Sequence, residues 1–518
     1  MPEALHSASQ EQMTSARNSI GVLVLSVSFI LVFWGIYLSH IDAFPPFIDE
    51  MVHIHTGEQI LAARRPLEGV NLGRQFTIWL YALFTPAASD PIWLARTVTV
   101  LVWLPGAAGA AALARALGGW TAAFFTWLLL TFSAYHLFFA RLALADVVAG
   151  SAVLVAMAVC TRLHWRNRVK DAALAGWLLF TAFGAKINVM PYLGVLVAAA
   201  LMLKPANASR RANLRWLAVG LVVSIGLIAL FTGLLRARGL DYVSNSLSLA
   251  ISGRAALDLS TLFDLTRVFG NAGFALESLA AYFGALPLAL LIGSAALLPR
   301  IIAHSQDQSR NGLAYYLLLC LTAPTLLLWI NLPQEMRFYL VPAALLLVCG
   351  AAAMGAITGS SRVSLAIASF VIVIWGASTG LPAWLNSAAD PAALARAAAD
   401  RQQYVLSDAT GFGFGEIEAV LAGRPVMRVI GLLPNCQGLR YFLGPVYAVE
   451  CPPLRPDGQD VDAAYALLVS SQAPGLIAVL EQIPYGPANS PGRLIGSVAN
   501  PDGRLRFRIY DLTPSQAP

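Results

Sequence analysis

The sequence predicts a polytopic α-helical membrane protein, with about 11 transmembrane helices followed by a C-terminal α/β domain outside the membrane. Three observations carry this. Of its 518 residues, 58% are apolar and only 12% charged, with a mean hydropathy of +0.66, whereas soluble domains carry roughly a quarter charged residues. The apolar residues gather in runs close to the roughly 20 needed to cross a bilayer. From Pro382 onward the runs give way to a Pro-, Gly- and Asp-containing stretch with alternating short strand and helix signals.

Residues 1–18 are polar and read as a cytoplasmic tail. The run Ile20–Ser39 is longer than the apolar region of a cleaved signal, so it reads as a retained first helix with the N-terminus inside. Further apolar runs lie near 92–114, 119–138, 146–161, 172–186, 188–203, 216–235, 277–299, 313–331, 339–359 and 363–381. As one helix, 172–203 would be roughly 48 Å long against a hydrocarbon core of ~30 Å. Pro191 interrupts it, so two short spans fit better. Basic clusters flank that region, Arg162, Arg166, Arg168 and Lys170 before it and Lys204, Arg210, Arg211 and Arg215 after it. Clusters on one side require an even number of crossings between them. The other inner loops then hold Arg115, Arg300, Arg310 and Arg362, and the acids face outward.

This topology leaves a first outer loop at 40–91, a long outer loop at about 240–276, a membrane part over 19–382 and an external domain over 383–518. The net charge is 34 − 28 = +6; the part up to 382 has 24 Lys and Arg against 16 Asp and Glu, and the tail 10 against 12. A positive-inside bias explains that excess without any nucleic acid. In the tail, Tyr404–Ser407, Val426–Ile430 and Ala464–Ser470 read as strands, Glu416–Ala422 and Gly475–Gln482 as helices, and Asn500–Gly503 as a hairpin turn. Cys436 and Cys451 would lie in an oxidising compartment, either as free thiols or as a disulfide closing a loop of about 15 residues and contributing ~3 kcal/mol. No CxxC pair or Cys/His cluster suggests structural zinc.

The sharpest chemical feature follows the first helix. Pro45 and Pro46 end the span, Asp49 and Glu50 come next, and His53 stands four and three residues further on, on one face if the segment is helical. Such a cluster can deprotonate a hydroxyl or, through His53 and Glu50, hold a divalent cation; the plain alternative is a solvated helix start with acids in its first turn. The short outer connection at 138–146 carries Arg141 and Asp146 in an otherwise apolar context, either as functional groups or as a mutual anchoring pair. Arg74, Lys186 and Arg337 face the same side in this topology. Each alone suits a snorkelling anchor, but together with the acids they suit an anionic lipid substrate whose phosphate they would stabilise.

Taken in order, Asp49-Glu50, Phe76–Leu83, Ala95-Arg96, Arg141–Asp146, Gly184-Ala185-Lys186 and Arg337-Phe338 followed by Pro342 resemble the GT-C membrane glycosyltransferases. They are similar above all to the bacterial branch of lipid A aminoarabinose transferase, protein O-mannosyltransferase-like enzymes and core galacturonosyltransferases. The resemblance covers about residues 20–345. It implies a multi-pass enzyme of a bacterial-type inner membrane that takes a sugar from a polyprenyl-phosphate donor. Transfer would go to an envelope acceptor, whether lipid, glycan or protein, on the outer face and with inversion. Asp49 would be the base, Glu50 its support, Asp146 a second active-site carboxylate, and Arg337, Lys186 and Arg74 the holders of the donor phosphate. Many relatives have Lys-Pro-Pro where this chain has Gly73-Arg74-Gln75, so Arg74 stands in for that lysine. The resemblance requires no cofactor and leaves cation dependence open.

The long outer loop is apolar enough to lie on the membrane and close over the donor, and the tail domain is expected to bind the acceptor. Gly411-Phe412-Gly413-Phe414-Gly415 does not match the dinucleotide fingerprint and reads as a flexible turn. The competing reading is a transporter or flippase of lipid-linked sugars. It predicts charges deep inside several spans, and the cores of these runs hold almost none.

Overall fold

The computed structural model describes residues 31–33, 35–67, 72–84, 90–203, 209–240, 242, 264–304, 310–331, 335–358, 361–424, 426–451, 476–482 and 493–511. The N-terminal tail, most of the first expected span, the middle of the long outer loop and the expected strand Ala464–Ser470 lie outside the described residues. The chain is mainly helical. In order come α1 (Ile48–Ala63), α2 (Gln75–Phe84), α3 (Pro91–Thr131), α4 (Ala134–Phe139), α5 (Ala145–Trp165), α6 (Val169–Ala185), α7 (Gly194–Met202) and α8 (Arg210–Arg236). Then follow α9 (Leu265–Phe283), α10 (Ala285–His304), α11 (Asn311–Asn331), α12 (Leu340–Thr358), α13 (Arg362–Ser378) and α14 (Gly380–Asn386). Seven helices among the described residues are long and apolar enough to cross a membrane.

Breaks in the apolar runs set the ends of these helices, and the ends matter for the site. The 41 residues of α3 are two helices joined where Gly118 and Gly119 leave helical geometry, Gly119 at φ +71, a conformation that a side chain would strain. The runs at 92–114 and 119–138 are therefore separate, as the sequence suggests. After α6 the chain turns extended at Lys186 (φ −159, ψ 123) and continues as a 3-10 turn, Ile187–Leu193, around Pro191 before α7. The run at 277–299 is cut differently from the expectation: α9 ends at Gly284 (φ +84) and α10 starts afresh at Ala285. Residues 265–276 of the expected outer loop are thus helical, started by Asp264, whose carboxylate accepts from the Arg267 amide (3.2 Å).

Helices in lipid gain little from burying apolar surface against one another and associate through close packing of small faces. On α3, a Cβ at Gly106 would lie 2.8 Å from Ser151 Cα and one at Gly109 2.9 Å from the Leu154 backbone, so only glycine lets α3 approach α5 this closely. This contact holds the N-terminus of α5, which bears Asp146, against the bundle.

The C-terminal α/β unit contains α15 (Phe414–Leu421), β1 (Val426–Leu432), α16 (Cys436–Leu443), β2 (Ala448–Glu450), β3 (Leu476–Gln482), β4 (Arg493–Ala499) and β5 (Leu505–Asp511). The sheet order is β2-β1-β3-β5-β4, parallel between β1 and its two neighbours and antiparallel across β3-β5-β4. The turn at Asn500–Gly503 joins β4 to β5, closed by the Gly503 amide donating to the Asn500 carbonyl (2.8 Å). Two expectations fail here. The expected helix Gly475–Gln482 is instead, over its described residues Leu476–Gln482, the central strand β3, because a short continuous apolar run has no periodicity to separate the two. Tyr404–Ser407 is not a strand; Gln402–Leu406 is a helical turn, and Tyr404 packs on Phe47 and Phe138 with ring centroids 4.5 and 5.3 Å away. Tertiary packing there overrides the strand preference of Tyr and Val. Cys436 and Cys451 are joined as a disulfide.

Candidate active site

Pro45 and Pro46 lead into an extended Phe47 (φ −96, ψ 146), and α1 begins at Ile48. Glu50, the third helical residue, reaches back to accept from the Phe47 amide (3.0 Å), a way to satisfy a donor that the helix start leaves open. Its carboxylate also accepts from Arg96 Nε and Nη2 (both 2.8 Å) and from the Ala143 amide (2.8 Å). Arg96 in turn donates to the carbonyls of Ile41 (3.0 Å) and Phe44 (2.6 Å). Both side chains are fully buried. This bidentate pair fastens the turn before α1 to α3 and to the loop before α5.

Asp49 precedes Glu50 and points about 100° away around the helix. It faces Arg74, 3.3 Å from Nη1, and pairs directly with Arg337. Burial pushes its carboxyl upward, but the two guanidiniums outweigh burial and hold it well below the usual carboxylate range. His53, one turn on, has Nδ1 at 3.1 Å from the Ala143 carbonyl and Nε2 at 3.1 Å from Arg74 Nη1. A carbonyl only accepts and a guanidinium only donates, so the ring is neutral with its proton on Nδ1. Burial and the adjacent Arg74 push its pKa down to about 3. The expected His53–Glu50 cation pair is thereby corrected: hydrogen bonds already engage Glu50 and both ring nitrogens. Among the described residues, no group of three or more His, Cys, Asp and Glu has a geometry that could hold a metal ion.

Asp146 lies in the first turn of α5 and Lys186 at the break after α6; Lys186 Nζ is 2.6 Å from both carboxylate oxygens. Arg337, in the 3-10 turn Met336–Tyr339 leading into α12, brings Nε to 3.9 Å from Asp146 and donates to Glu335 (2.8 Å). Arg337 therefore bridges Asp49 and Asp146. Asp146, Lys186 and Arg337 line a cavity of about 150 Å³ whose other walls are mostly apolar, among them Val189, Leu328 and Val341. Arg141 does not pair with Asp146; it donates to the carbonyls of Ser39 (2.6 Å) and His40.

Asp49, Asp146, Arg74, Lys186 and Arg337 thus converge from five separate points of the chain at one end of the bundle. Glu50 does not join them. Arg96, Glu335, Asp400 and Tyr404 were not among the expected site residues. Glu335 was signalled only by its place two residues before Arg337. Asp400 is buried in the segment after α14, where the Tyr282 hydroxyl donates to it (2.7 Å); burial, with Glu335 adding and Tyr282 and Arg337 opposing, pushes its pKa up to about 7. No local signal marks it.

No family model matches the sequence, and no curated protein matches it either. Solved structures do. ArnT from Cupriavidus metallidurans in the apo state matches with a TM-score of 0.56 at 16% identity, over 96% of this chain and 99% of that one. The same ArnT bound to undecaprenyl phosphate matches with a TM-score of 0.56 at 15% identity, over 95% and 99%. The chain shares the fold of ArnT. The apo oligosaccharyltransferase of Archaeoglobus fulgidus also matches, with a TM-score of 0.49 at 11% identity, over 95% of this chain and 75% of that one.

Proposed function

We propose that this protein transfers a sugar from a polyprenyl-phosphate-linked donor to an envelope acceptor at the outer face of the inner membrane, with inversion and with Asp49 as base. The observation that carries the reading is the meeting of Asp49 and Asp146 with Lys186 and Arg337 beside a largely apolar cavity. An apolar wall suits a prenyl chain, and two cations at its rim suit a phosphate. The fold it shares with an ArnT solved with undecaprenyl phosphate supports the same donor class.

In this reading the acceptor oxygen forms its bond to the anomeric carbon as the bond from that carbon to the donor phosphate oxygen breaks. The hydroxyl proton passes to Asp49, and the polyprenyl phosphate leaves with the electron pair, its charge stabilised by Arg337 and Lys186. A carboxylate held by two guanidiniums is a weak base. A donor phosphate competing for Arg337 would loosen the Asp49 pair and strengthen that base, linking donor binding to activation. Asp146, by holding Lys186, keeps the second cation at the cavity. The first outer loop at 40–91 and the external domain over 383–518 belong to this reading, with the N-terminus inside and the acceptor approaching from the external side.

The test is to supply purified protein with a panel of polyprenyl-phosphate monosaccharides and an extract of envelope acceptors, and to measure released polyprenyl phosphate with Asp49→Asn and Asp146→Asn in parallel. Release with one donor, lost in the Asp49 variant while undecaprenyl phosphate binding persists, is expected. No release with any donor, together with movement of labelled lipid across reconstituted vesicles, would replace sugar transfer by transport.

A further inference from the structure

The backbone immediately before Asp49 is held by a part of the chain more than 350 residues away. The first amides of a helix have no partner within it. In α1 the Ile48 amide donates to the Ala409 carbonyl (2.9 Å), and Phe47 pairs with Thr410 as an antiparallel bridge. The Pro46 carbonyl accepts from Asn435 Nδ2 (2.9 Å), which also reaches the Ala409 carbonyl (3.2 Å). Asn435 is itself fixed: its Oδ1 accepts from the Gly438 amide (3.3 Å), capping α16, and the next residue is disulfide-bonded Cys436. The opposing segment is buttressed from β5, where Arg506 Nη2 donates to the carbonyls of Thr410 (2.6 Å) and Ser407 (3.0 Å).

Gly411, within the glycine-rich segment read from sequence as a flexible turn, has a specific task. A Cβ there would lie 2.8 Å from Pro46 Cδ and 2.9 Å from its carbonyl oxygen. Any larger residue would push the 409–411 segment off the turn that leads to Asp49.

We infer that Asn435 and Gly411 are positioning residues that make the C-terminal α/β unit part of the candidate active site, by clamping Pro46-Phe47-Ile48 and so aiming Asp49. The role in turnover rests on the proposed base function of Asp49; the clamp itself does not. Tethering at three successive residues, Pro46, Phe47 and Ile48, fixes the start of α1 in angle and translation, and a displacement of about 1 Å at a reacting group can cost roughly a hundredfold in rate.

Asn435→Asp is the discriminating variant. It keeps the shape and the oxygen that caps Gly438, but an ionised carboxylate cannot donate to Pro46. Ile48→Pro deletes the clamped amide from the other side, at a first helical position where proline is well accepted. Gly411→Ala opens the close approach. Hydrogen exchange of the full-length protein in detergent reads the clamp directly: amides of 47–52 should exchange about tenfold faster in Asn435→Asp and Gly411→Ala, with β1 and β5 unchanged. Unchanged exchange at 47–52 in variants whose α/β unit remains protected would overturn the inference. Should one variant fail to fold, Ile48→Pro decides, by faster exchange of 49–52 or by none. With an active donor, kcat should fall by about tenfold to a hundredfold while the Kd for undecaprenyl phosphate changes far less; loosened exchange at undiminished kcat would overturn the aiming of Asp49. If the wild-type protein turns over no donor, the proposed activity fails and the exchange result still decides the clamp.

Discussion

Two charged regions lie side by side where α1 begins, one around Glu50 and one around Asp49. At Glu50 a single carboxylate meets a single guanidinium, both fully buried, and hydrogen bonds from Phe47 and Ala143 complete the arrangement. Around Asp49, three carboxylates (Asp49, Asp146 and Glu335) share three cations (Arg74, Lys186 and Arg337), and 19% of the Asp49 side-chain surface stays accessible. A saturated pair resists change, because removing one partner strands a buried charge. A network in which Arg337 serves three acids can exchange partners when a further anion arrives. Burial and closed pairing mark the structural acid, and shared pairing beside a cavity marks the one suited to chemistry.

The largest expected effect is on rate. Asp49→Asn should lower kcat by about 10²- to 10⁴-fold, with little change in the temperature of unfolding. Glu50→Gln should do the opposite, costing roughly 3–5 kcal/mol of stability by leaving Arg96 charged and unpaired. Thermal unfolding in detergent, run beside donor turnover, checks both. A Glu50→Gln protein that unfolds at the wild-type temperature but has lost turnover would break the comparison and return Glu50 to the chemistry.

Asp400 sharpens the comparison by showing burial without a strong pair. Its pKa rises on folding from the model-peptide value of 3.8 to about 7, chiefly through burial. The folded state therefore binds this proton more tightly than the unfolded chain. Its contribution to stability is full below about pH 4 and is lost as pH climbs to about 7, by an amount of the order of a few kcal/mol. Asp400→Asn should match the wild type near pH 4 and unfold at a higher temperature near pH 8. Parallel curves for the two proteins across that range would mean that Asp400 stays ionised on folding.

Much of this was legible in the sequence because the bilayer makes residues report their environment. Charges flanking long apolar runs marked helix ends, and Asp49, Asp146, Lys186 and Arg337 all lie at helix ends or breaks. Their convergence was suggested by the order of weak motifs, yet nothing local distinguished Asp49 from Glu50, since one step around a helix separates a shared charge network from a buried hub. The clamp by Asn435 and Gly411 was illegible for a different reason. It joins positions 389 residues apart for Asn435 and Pro46, and a glycine needed for a close approach looks the same in sequence as one needed for a loop. The failed strand and helix readings at 404–407 and 475–482 share this origin, because short segments take the conformation that their tertiary neighbours select.

The smallest expected effect separates the cations. Lys186 and Arg337 line the cavity, whereas Arg74 contacts Asp49 and His53. In Arg74→Gln, burial still pushes the Asp49 carboxyl up while one of the two guanidiniums opposing it is gone, so its pKa rises. An acid is useless as a base below its pKa, so the acidic limb of the kcat/KM profile should move to higher pH. His53, held at about 3 by burial and by Arg74, should move up as well. Affinity for undecaprenyl phosphate should change less than in Lys186→Ala, because the neutral glutamine removes charge beside Asp49 rather than from the cavity wall. A limb that does not move, with affinity falling as far as in Lys186→Ala, would reassign Arg74 to the phosphate and leave Arg337 alone in setting the charge of Asp49.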